Sequence, residues 1–199
     1  MLTQLTTDLC RDLKHYFVRF DNDASACYDR IIVALAMLAA RKCGMPCHAV
    51  RFHADALFFM HYTVKTLYGI SEENYPGTVF EPLFGTGQGS GASPSAWLTL
   101  VAILFQTLDR LVPDRINFSS PSGSLRHSRL SDAFVDDTYL GFTSVSDTES
   151  FESLVDRLQT IAQKWEHLLF LSGGKLNLTK CSWYILRWES FPHGSKAVQ

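Results

Sequence analysis

Two adjacent acids, Asp136 and Asp137, stand between short apolar runs, and no other feature constrains the fold as strongly. The pattern predicts a β-hairpin with strands Leu130–Val135 and Thr138–Phe142 and the acids at its tip. Aspartate is also common in turns because its side chain hydrogen-bonds the local backbone, so an ordinary turn is the alternative. Neighbouring carboxylates repel each other, however, and a cation such as Mg²⁺, which also takes phosphate ligands, relieves that repulsion. If a cation binds at the hairpin, a further carboxylate from elsewhere in the chain is expected to contribute to its site.

A second acidic segment follows the β-prone run Tyr16–Phe20 and leads into an alanine-rich stretch that predicts a helix over Cys27–Lys42. An acid at the end of a strand and just before a helix is a common position for a functional side chain. Asp21, Asp23 and Asp29 compete for that role, and each has an alternative interpretation as a solvated turn residue or a helix cap. The local pattern alone leaves the choice open.

A glycine-rich loop, Gly85–Pro94, precedes a segment whose apolar residues recur at helical spacing, so the loop is predicted to lead into a helix. Alternate glycines allow a ligand or a nucleic-acid strand to approach the backbone closely. Ser93 and Pro94 also suit the start of a helix. The loop is not a phosphate-binding loop of the common type, because the lysine and the glycine spacing of that motif are absent.

In their order and content these segments resemble the palm domain of retroelement reverse transcriptases. The family's first motif, an acid followed by an aromatic residue and a second acid, is matched by Asp23, Tyr28 and Asp29. Its last motif, a glycine followed by a short apolar stretch and a lysine, is matched by Gly174 to Lys180. The two motifs between these are matched by Gln88-Gly89 with Ser93-Pro94, and by Phe134-Val135-Asp136-Asp137. The resemblance extends from about Tyr16 to Trp188. It departs from the family at Gly87, where a proline is usual, and at Phe134, where many relatives have tyrosine.

The resemblance implies a catalytic centre made by Asp23, Asp136 and Asp137. These carboxylates, with the backbone carbonyl of Ala24, would hold two Mg²⁺ ions, and Mn²⁺ is a possible substitute. Two such ions about 4 Å apart stabilise the attacking and leaving oxygens of phosphoryl transfer. The register of the motif selects Asp23 over Asp21 as the first metal ligand.

The resemblance also implies substrate contacts. Tyr28 would lie beneath the sugar of the incoming nucleotide and exclude a 2′-hydroxyl; the alternative is a packed residue at a helix start. Gln88 and Gly89 would border the template and the nucleotide. Lys180 would lie near the triphosphate, with Lys175 as the competing choice and a surface lysine as the ordinary interpretation.

The implied fold is α+β, a polymerase palm with a small antiparallel sheet, helices on one face and a ferredoxin-like core. Residues 1–15 would be an N-terminal extension, residues 16–190 a palm without fingers and thumb, and residues 191–199 a disordered tail. The fingers and thumb would belong to a longer polyprotein. The implied partners are an RNA or DNA template with its primer and deoxynucleoside triphosphates.

Three functions compete. The favoured one is the RNA-directed DNA polymerase palm of a retrotransposon. The second is a non-catalytic remnant that keeps the fold. The third is another two-metal palm enzyme, such as an RNA-dependent RNA polymerase or a nucleotidyl cyclase. The aromatic residue before the paired acids and the Gln-Gly-x₃-Ser-Pro loop favour the first.

Composition sets further limits. The net charge of −2 over 199 residues argues against strong binding of a nucleic-acid backbone by this chain alone. Five cysteines without framework spacing predict reduced thiols and an intracellular protein, with nucleus and cytoplasm both open. Cys43, Cys47 and His48 lack the second ligand pair of a zinc site. No signal peptide and no apolar run near twenty residues is found, so no membrane partner is expected.

Overall fold

The computed structural model describes residues 2–76, 84–87, 90–120, 122–191 and 194–198. The chain divides into two compact units. The first comprises Met1–Ser25, Phe105–Leu171 and Lys175–Gln199, and the second comprises Ala26–Leu104 and Ser172–Gly174. The elements in chain order are α1 (Leu2–Leu13), β1 (Phe17–Asp23), α2 (Cys27–Arg30), α3 (Val33–Lys42), α4 (Cys47–Phe58), β2 (His61–Tyr62), β3 (Lys65–Thr66), β4 (Gly69–Ile70), β5 (Tyr75–Pro76), α5 (Ser93–Leu111), β6 (Ile116–Ser119), β7 (Arg126–Arg129), β8 (Ser131–Phe134), β9 (Asp137–Thr143), α6 (Phe151–Leu171), β10 (Ser182–Phe191) and β11 (Gly194–Val198).

The first unit is built on a five-stranded sheet in the order β11-β10-β1-β9-β8. Each neighbouring pair is antiparallel, and β1 lies in the middle between β10 and β9. Side chains alternate between the two faces of a strand, so β1 presents Val18 and Phe20 on one face and Arg19 and Asp21 on the other. The two apolar residues are buried and the two charged ones are partly exposed. The predicted small antiparallel sheet is therefore present.

Helix α6 packs on β1 and supplies much of the core of this unit. Ser150 caps the start of the helix: its hydroxyl accepts a hydrogen bond from the Ser153 backbone N–H at 3.2 Å. The helical spacing of Phe151, Leu154, Leu158, Ile161, Trp165 and Leu168 predicts an apolar seam along this helix. The last five are buried as predicted, whereas Phe151, at the first position of the helix, is exposed. Burial of side chains of this size stabilises the fold by about 1.5–3 kcal/mol each.

The prediction of one helix over Cys27–Lys42 is wrong, because the second unit has two helices there, α2 and α3. The chain is extended between them at Ile31 and Ile32. The Ile31 carbonyl accepts a hydrogen bond from Gly85 N at 2.8 Å, and Ile32 N donates to the Ser172 carbonyl at 3.1 Å. These tertiary hydrogen bonds satisfy the backbone where helical ones are missing, and β-branched residues lose little by leaving the helix.

Two more expectations are wrong. The Ser- and Gly-rich composition of Asn117–Ser124 predicts a polar link, but this segment includes most of β6, which pairs with β7 in a hairpin. The tail 191–199, expected to be disordered, contains β11, which pairs with β10. In both cases the backbone gains hydrogen bonds to an adjacent strand, a gain that polar composition does not reveal. After the turn signal Tyr75-Pro76-Gly77 the sequence predicts a strand over Thr78–Phe84, and this segment lies outside the described residues except for Phe84.

Within the second unit, residues 47–75 bury little of their surface. Leu57 is the one buried residue among them, although they include α4 and the start of β5. Several large side chains in this segment are largely exposed, and they include Phe52, Phe59, Leu67 and Tyr68. We call residues 47–75 the exposed segment.

Gly173 provides a test of packing in the second unit. Its φ is +93°, and a Cβ there would overlap the Arg30 carbonyl oxygen and lie 3.0 Å from Ile32 Cγ1. Gly44 has a similar φ of +98°, but a Cβ there would meet no atom within 4 Å. Gly173→Ala should therefore lower the free energy of unfolding by about 3 kcal/mol or more, and Gly44→Ala by about 1–2 kcal/mol, measured by urea denaturation. Equal losses would show that backbone strain alone limits both positions.

Candidate active site

The predicted hairpin is present, but its turn lies one residue earlier than predicted, so that Asp136 is in the turn and Asp137 begins β9. Phe134 of β8 pairs with Asp137 of β9, which leaves Val135 and Asp136 as the two turn residues. Val135 has a φ of +59°, a left-handed conformation that hairpin turns of this length require at their first central residue. A β-branched residue adopts it only at a cost of about 1–3 kcal/mol, and such strain is concentrated at functional sites.

The structure brings Asp23 and Asp137 together, although they lie far apart in the sequence. They are direct partners in the antiparallel pairing of β1 with β9, so their side chains leave the same face of the sheet. The Asp23 side chain is 12% exposed, whereas Asp137 is exposed. A largely buried carboxylate beside a solvated one makes a compact acidic site at the end of β1.

Asp136 precedes Asp137 in the chain, but it does not line the recess that Asp23 and Asp137 share. The recess has a volume of about 390 Å³, and its walls include Asp23, Asp137 and Lys180. Among the described residues, which include all three aspartates, no group of three or more His, Cys, Asp or Glu side chains is arranged to hold a metal ion. The shared metal site of three carboxylates therefore stays a prediction.

The other acids considered for the first motif have different surroundings. Arg19 Nε lies 2.6 Å from Asp21 Oδ1, and the Arg19 guanidinium also stacks on the Tyr139 ring at 4.3 Å. Asp29 is exposed in α2, within the second unit. Asp23 alone faces an acid of the hairpin, which agrees with the register of the motif.

Lys180 is placed at the site by the turn that precedes β10. Its Nζ lies 3.3 Å from Asp23 Oδ2, but its side chain is 64% exposed, so the ion pair is weak. The backbone of this turn is fixed to the end of β1: Asn177 N donates to the Asp23 carbonyl at 2.9 Å, and Ser25 N donates to the Lys175 carbonyl at 2.7 Å. Of the two lysines considered, Lys180 is the one whose ammonium reaches an acid of the site.

Ala24 is buried and forms an isolated antiparallel bridge with Leu176. Its expected role, a metal ligand through the backbone carbonyl, stays a prediction. Leu176 belongs to the turn that carries Lys180, so this turn also holds the backbone of Ala24 in place.

The remaining substrate residues belong to the second unit. Tyr28 lies in α2 and is partly buried, and its carbonyl accepts a hydrogen bond from Thr86 N at 2.7 Å. Gly85 has a φ of +88°, and a Cβ there would lie 2.6 Å from the Asp29 Cα, so this glycine is required for the loop to approach α2. Gln88 and Gly89 lie outside the described residues.

Ser93 holds the described part of the glycine-rich loop against α5. Its hydroxyl oxygen lies 2.8 Å from the carbonyl oxygens of both Thr86 and Gly87, which share its one proton as acceptors. The prediction that Ser93 suits a helix start is therefore correct in position, but its side chain bonds to the loop that precedes the helix.

Sequence reasoning missed two buried residues behind the acids. Trp165 Nε1 donates a hydrogen bond of 2.9 Å to Asn22 Oδ1, and Asn22 directly precedes Asp23. The periodicity of α6 identified Trp165 as a core residue only. An asparagine between two candidate acids, on the buried face of a strand, was the signal that could have been used.

Comparison with known proteins identifies the fold. No protein-family model and no curated protein matches the chain. Among solved structures it is similar to telomerase from Candida albicans in complex with a fragment of telomeric RNA, with a TM-score of 0.59 and 14% identity over 92% of this chain. It is also similar to apo telomerase from Candida tropicalis, with a TM-score of 0.52 and 12% identity over 92% of this chain.

The fold is of the polymerase palm type, as found in telomerase. The chain spans 29% and 34% of the two telomerase chains, which is well under two thirds of either. At these identities the likeness shows the fold alone. No helix among the described residues is long and apolar enough to cross a lipid bilayer.

Proposed function

We propose that this chain is the palm of an RNA-directed DNA polymerase, of retrotransposon origin, that adds deoxynucleotides to a primer on an RNA or DNA template. The observation that carries the proposal is the facing pair Asp23 and Asp137 beside a strained two-residue turn, in a fold similar to that of telomerase. A ferredoxin-like arrangement of the core belongs to the same proposal.

The donor chemistry of the pair fits Mg²⁺. Two carboxylates offer hard oxygens, and Mg²⁺ commonly takes one or two carboxylates and completes its shell with waters and substrate phosphates. Asp23 and Asp137 would hold the ion, with Asp136 and the Ala24 carbonyl as further ligands. When bound, the ions would polarise the α-phosphate and lower the pKa of the attacking 3′-hydroxyl.

The chain's own residues would then orient the substrate. The Lys180 ammonium, beside Asp23, would stabilise negative charge on the β- and γ-phosphates as pyrophosphate leaves. The exposed carboxylate of Asp137 would lie toward the primer end, and the glycine-rich loop with Gln88 and Gly89 would border the template. Tyr28 would lie below the sugar.

A non-catalytic palm is the second candidate, and two observations favour it. No described group of three ligands is arranged for a metal, and the Lys180 ammonium already neutralises part of the charge on Asp23. Binding of a cation separates the two candidates.

Titration with MnCl₂, followed by electron paramagnetic resonance of free Mn²⁺, tests the proposed site. Asp137→Asn should weaken Mn²⁺ binding by about tenfold or more, because the site loses one of its two facing charges. Lys180→Met should strengthen it, because a competing cation is removed. Asp156→Asn, which changes an exposed acid of α6, should have no effect. Equal affinities for wild type, Asp137→Asn and Asp156→Asn would favour the non-catalytic palm.

Tyr28 is expected to govern sugar selection when the chain is joined to fingers and thumb. Tyr28→Val should raise incorporation of ribonucleotides relative to deoxynucleotides by about 10- to 100-fold, because space opens for the 2′-hydroxyl. Single-nucleotide insertion kinetics measure the ratio. Tyr68→Val is the matched control, since Tyr68 is fully exposed in the same unit. The same ratio in both variants would remove Tyr28 from this role.

A further inference from the structure

A buried hydrogen bond lies directly behind the acidic pair. Trp165 of α6 is fully buried, and its indole N–H donates to the Asn22 side-chain carbonyl at 2.9 Å. Asn22 is 5% exposed and precedes Asp23 in β1. The last residues of β1 are therefore attached by a side chain to the helix beneath the sheet.

The alternation of side chains along a strand relates this bond to the acids. Asn22 pairs with Thr138 in the register of β1 with β9, and the next pair along is Asp23 with Asp137. Asn22 and Thr138 therefore point to the buried face behind the two acids. Thr138 is 3% exposed, in agreement with this placement. Each acid has a buried polar neighbour in its own strand.

The indole is itself held in place. Its ring centroid lies 5.3 Å from that of Phe105 in α5, with an angle of 41° between the ring planes. A tilted aromatic contact of this kind limits rotation of both rings. Because Trp165 is packed against Phe105, the position of its N–H is fixed, and the Asn22 amide is oriented by it.

The buried polar groups are not fully satisfied. Asn22 Nδ2 and Thr138 Oγ1 have no hydrogen-bond partner among the described residues. Apolar side chains of similar size in place of Asn22 and Thr138 would avoid the cost of burying unpaired polar atoms. Stability alone therefore does not account for polar residues at these two positions. Deviations from the packing rules occur mainly where a fold serves a function.

We propose that Trp165 and Asn22 are positioning residues that hold Asp23 opposite Asp137. The hydrogen bond fixes the final residues of the β1 backbone, and this backbone sets the direction of the Asp23 carboxylate on the other face. The consequence for cation binding rests on the proposed function, whereas the alignment of the two acids does not.

Three variants test this role: Trp165→Phe, Asn22→Leu and the double variant. Each single variant strands one polar partner in the core, so each should be less stable than wild type. The double variant removes both partners and should recover much of that loss, since neither partner of the bond is left behind alone. The double variant therefore separates the contribution of the bond to stability from its effect on the orientation of Asp23. Trp97→Phe, at a 2% exposed tryptophan of the second unit, is the control for loss of indole volume.

Two measurements report on the acids. In metal-free protein, cross-strand proton contacts between Asp23 and Asp137, observed by nuclear Overhauser spectroscopy, should weaken in all three variants and stay unchanged in Trp97→Phe. Mn²⁺ affinity from electron paramagnetic resonance should fall by about tenfold in the same three variants, because residues that orient ligands commonly have effects of this size.

The double variant decides the outcome. If it is folded and keeps both the wild-type Asp23–Asp137 contacts and the wild-type Mn²⁺ affinity, the positioning role is overturned. If wild type itself binds no Mn²⁺, the proposed cation site fails, and the cross-strand contacts in metal-free protein still decide whether Trp165 and Asn22 align the acids.

Discussion

Primer extension by the isolated 199-residue chain on an RNA template is expected to be barely detectable, about 10⁵-fold below that of the same chain joined to fingers and thumb. Alignment of the reacting groups supplies about 7–11 kcal/mol of a barrier of this kind, and metal-binding carboxylates alone do not provide it. A chain with a net charge of −2 should also bind primer–template weakly and release it as salt rises.

The measurement is gel-resolved extension of a labelled primer with Mg²⁺ and, separately, with Mn²⁺. A variant with Asp136→Asn and Asp137→Asn serves as the control for contaminating polymerase. Robust extension by the isolated wild-type chain, lost in this control, would mean that the palm fold alone aligns the substrates.

Arg157→Met should lower the free energy of unfolding by about 3–5 kcal/mol, because two carboxylates with little exposure would lose their partner. Arg157 bonds to both oxygens of Glu149, at 2.6 and 2.8 Å, and to Asp114 Oδ1 at 2.6 Å. Its guanidinium also lies 4.4 Å from the centre of the Phe142 ring. Urea denaturation measures the loss. Arg11→Met, at a half-exposed ion pair of α1, should cost less than about 1 kcal/mol.

The effect of Arg157→Met should also depend on pH. Burial raises the pKa of Glu149, but hydrogen bonds from Arg157, Val145 N and Ser153 outweigh it and hold this pKa below its ordinary value of 4.5. A carboxyl with a lowered pKa stabilises the fold above its unfolded pKa, and this contribution disappears as the pH falls through the folded pKa. The difference in free energy of unfolding between wild type and Arg157→Met should therefore narrow as the pH falls below the ordinary value of 4.5 and through the lower pKa of folded Glu149. A difference that is constant from pH 7 to acid would contradict this account of Arg157.

The sequence predicted what depends on local pattern. The hairpin of the paired acids, the end of β1 and the apolar seam of α6 each follow from residues that are close in the chain. The choice of Asp23 over Asp21 and Asp29 came instead from the register of the motif that resembles reverse transcriptases, and the structure brings Asp23 to Asp137.

The sequence did not predict what depends on partners that are distant in the chain. The break at Ile31 and Ile32 is stabilised by Gly85 and Ser172, and β11 exists because β10 offers an open edge. The Trp165–Asn22 bond joins residues on different elements, so helical periodicity could not distinguish its indole from any other core side chain.

The exposed segment, residues 47–75, has a consequence for how the second unit opens. Leu57 is its one buried side chain among the described residues, so little of its order is coupled to the core of the unit. Its amide hydrogens should exchange with solvent through local opening, far faster than those of α3, which buries Val33, Ala36, Met37, Ala39 and Ala40. Insertions or deletions there should therefore cost the rest of the unit little free energy, so the length of this segment can vary without disturbing the core of the unit.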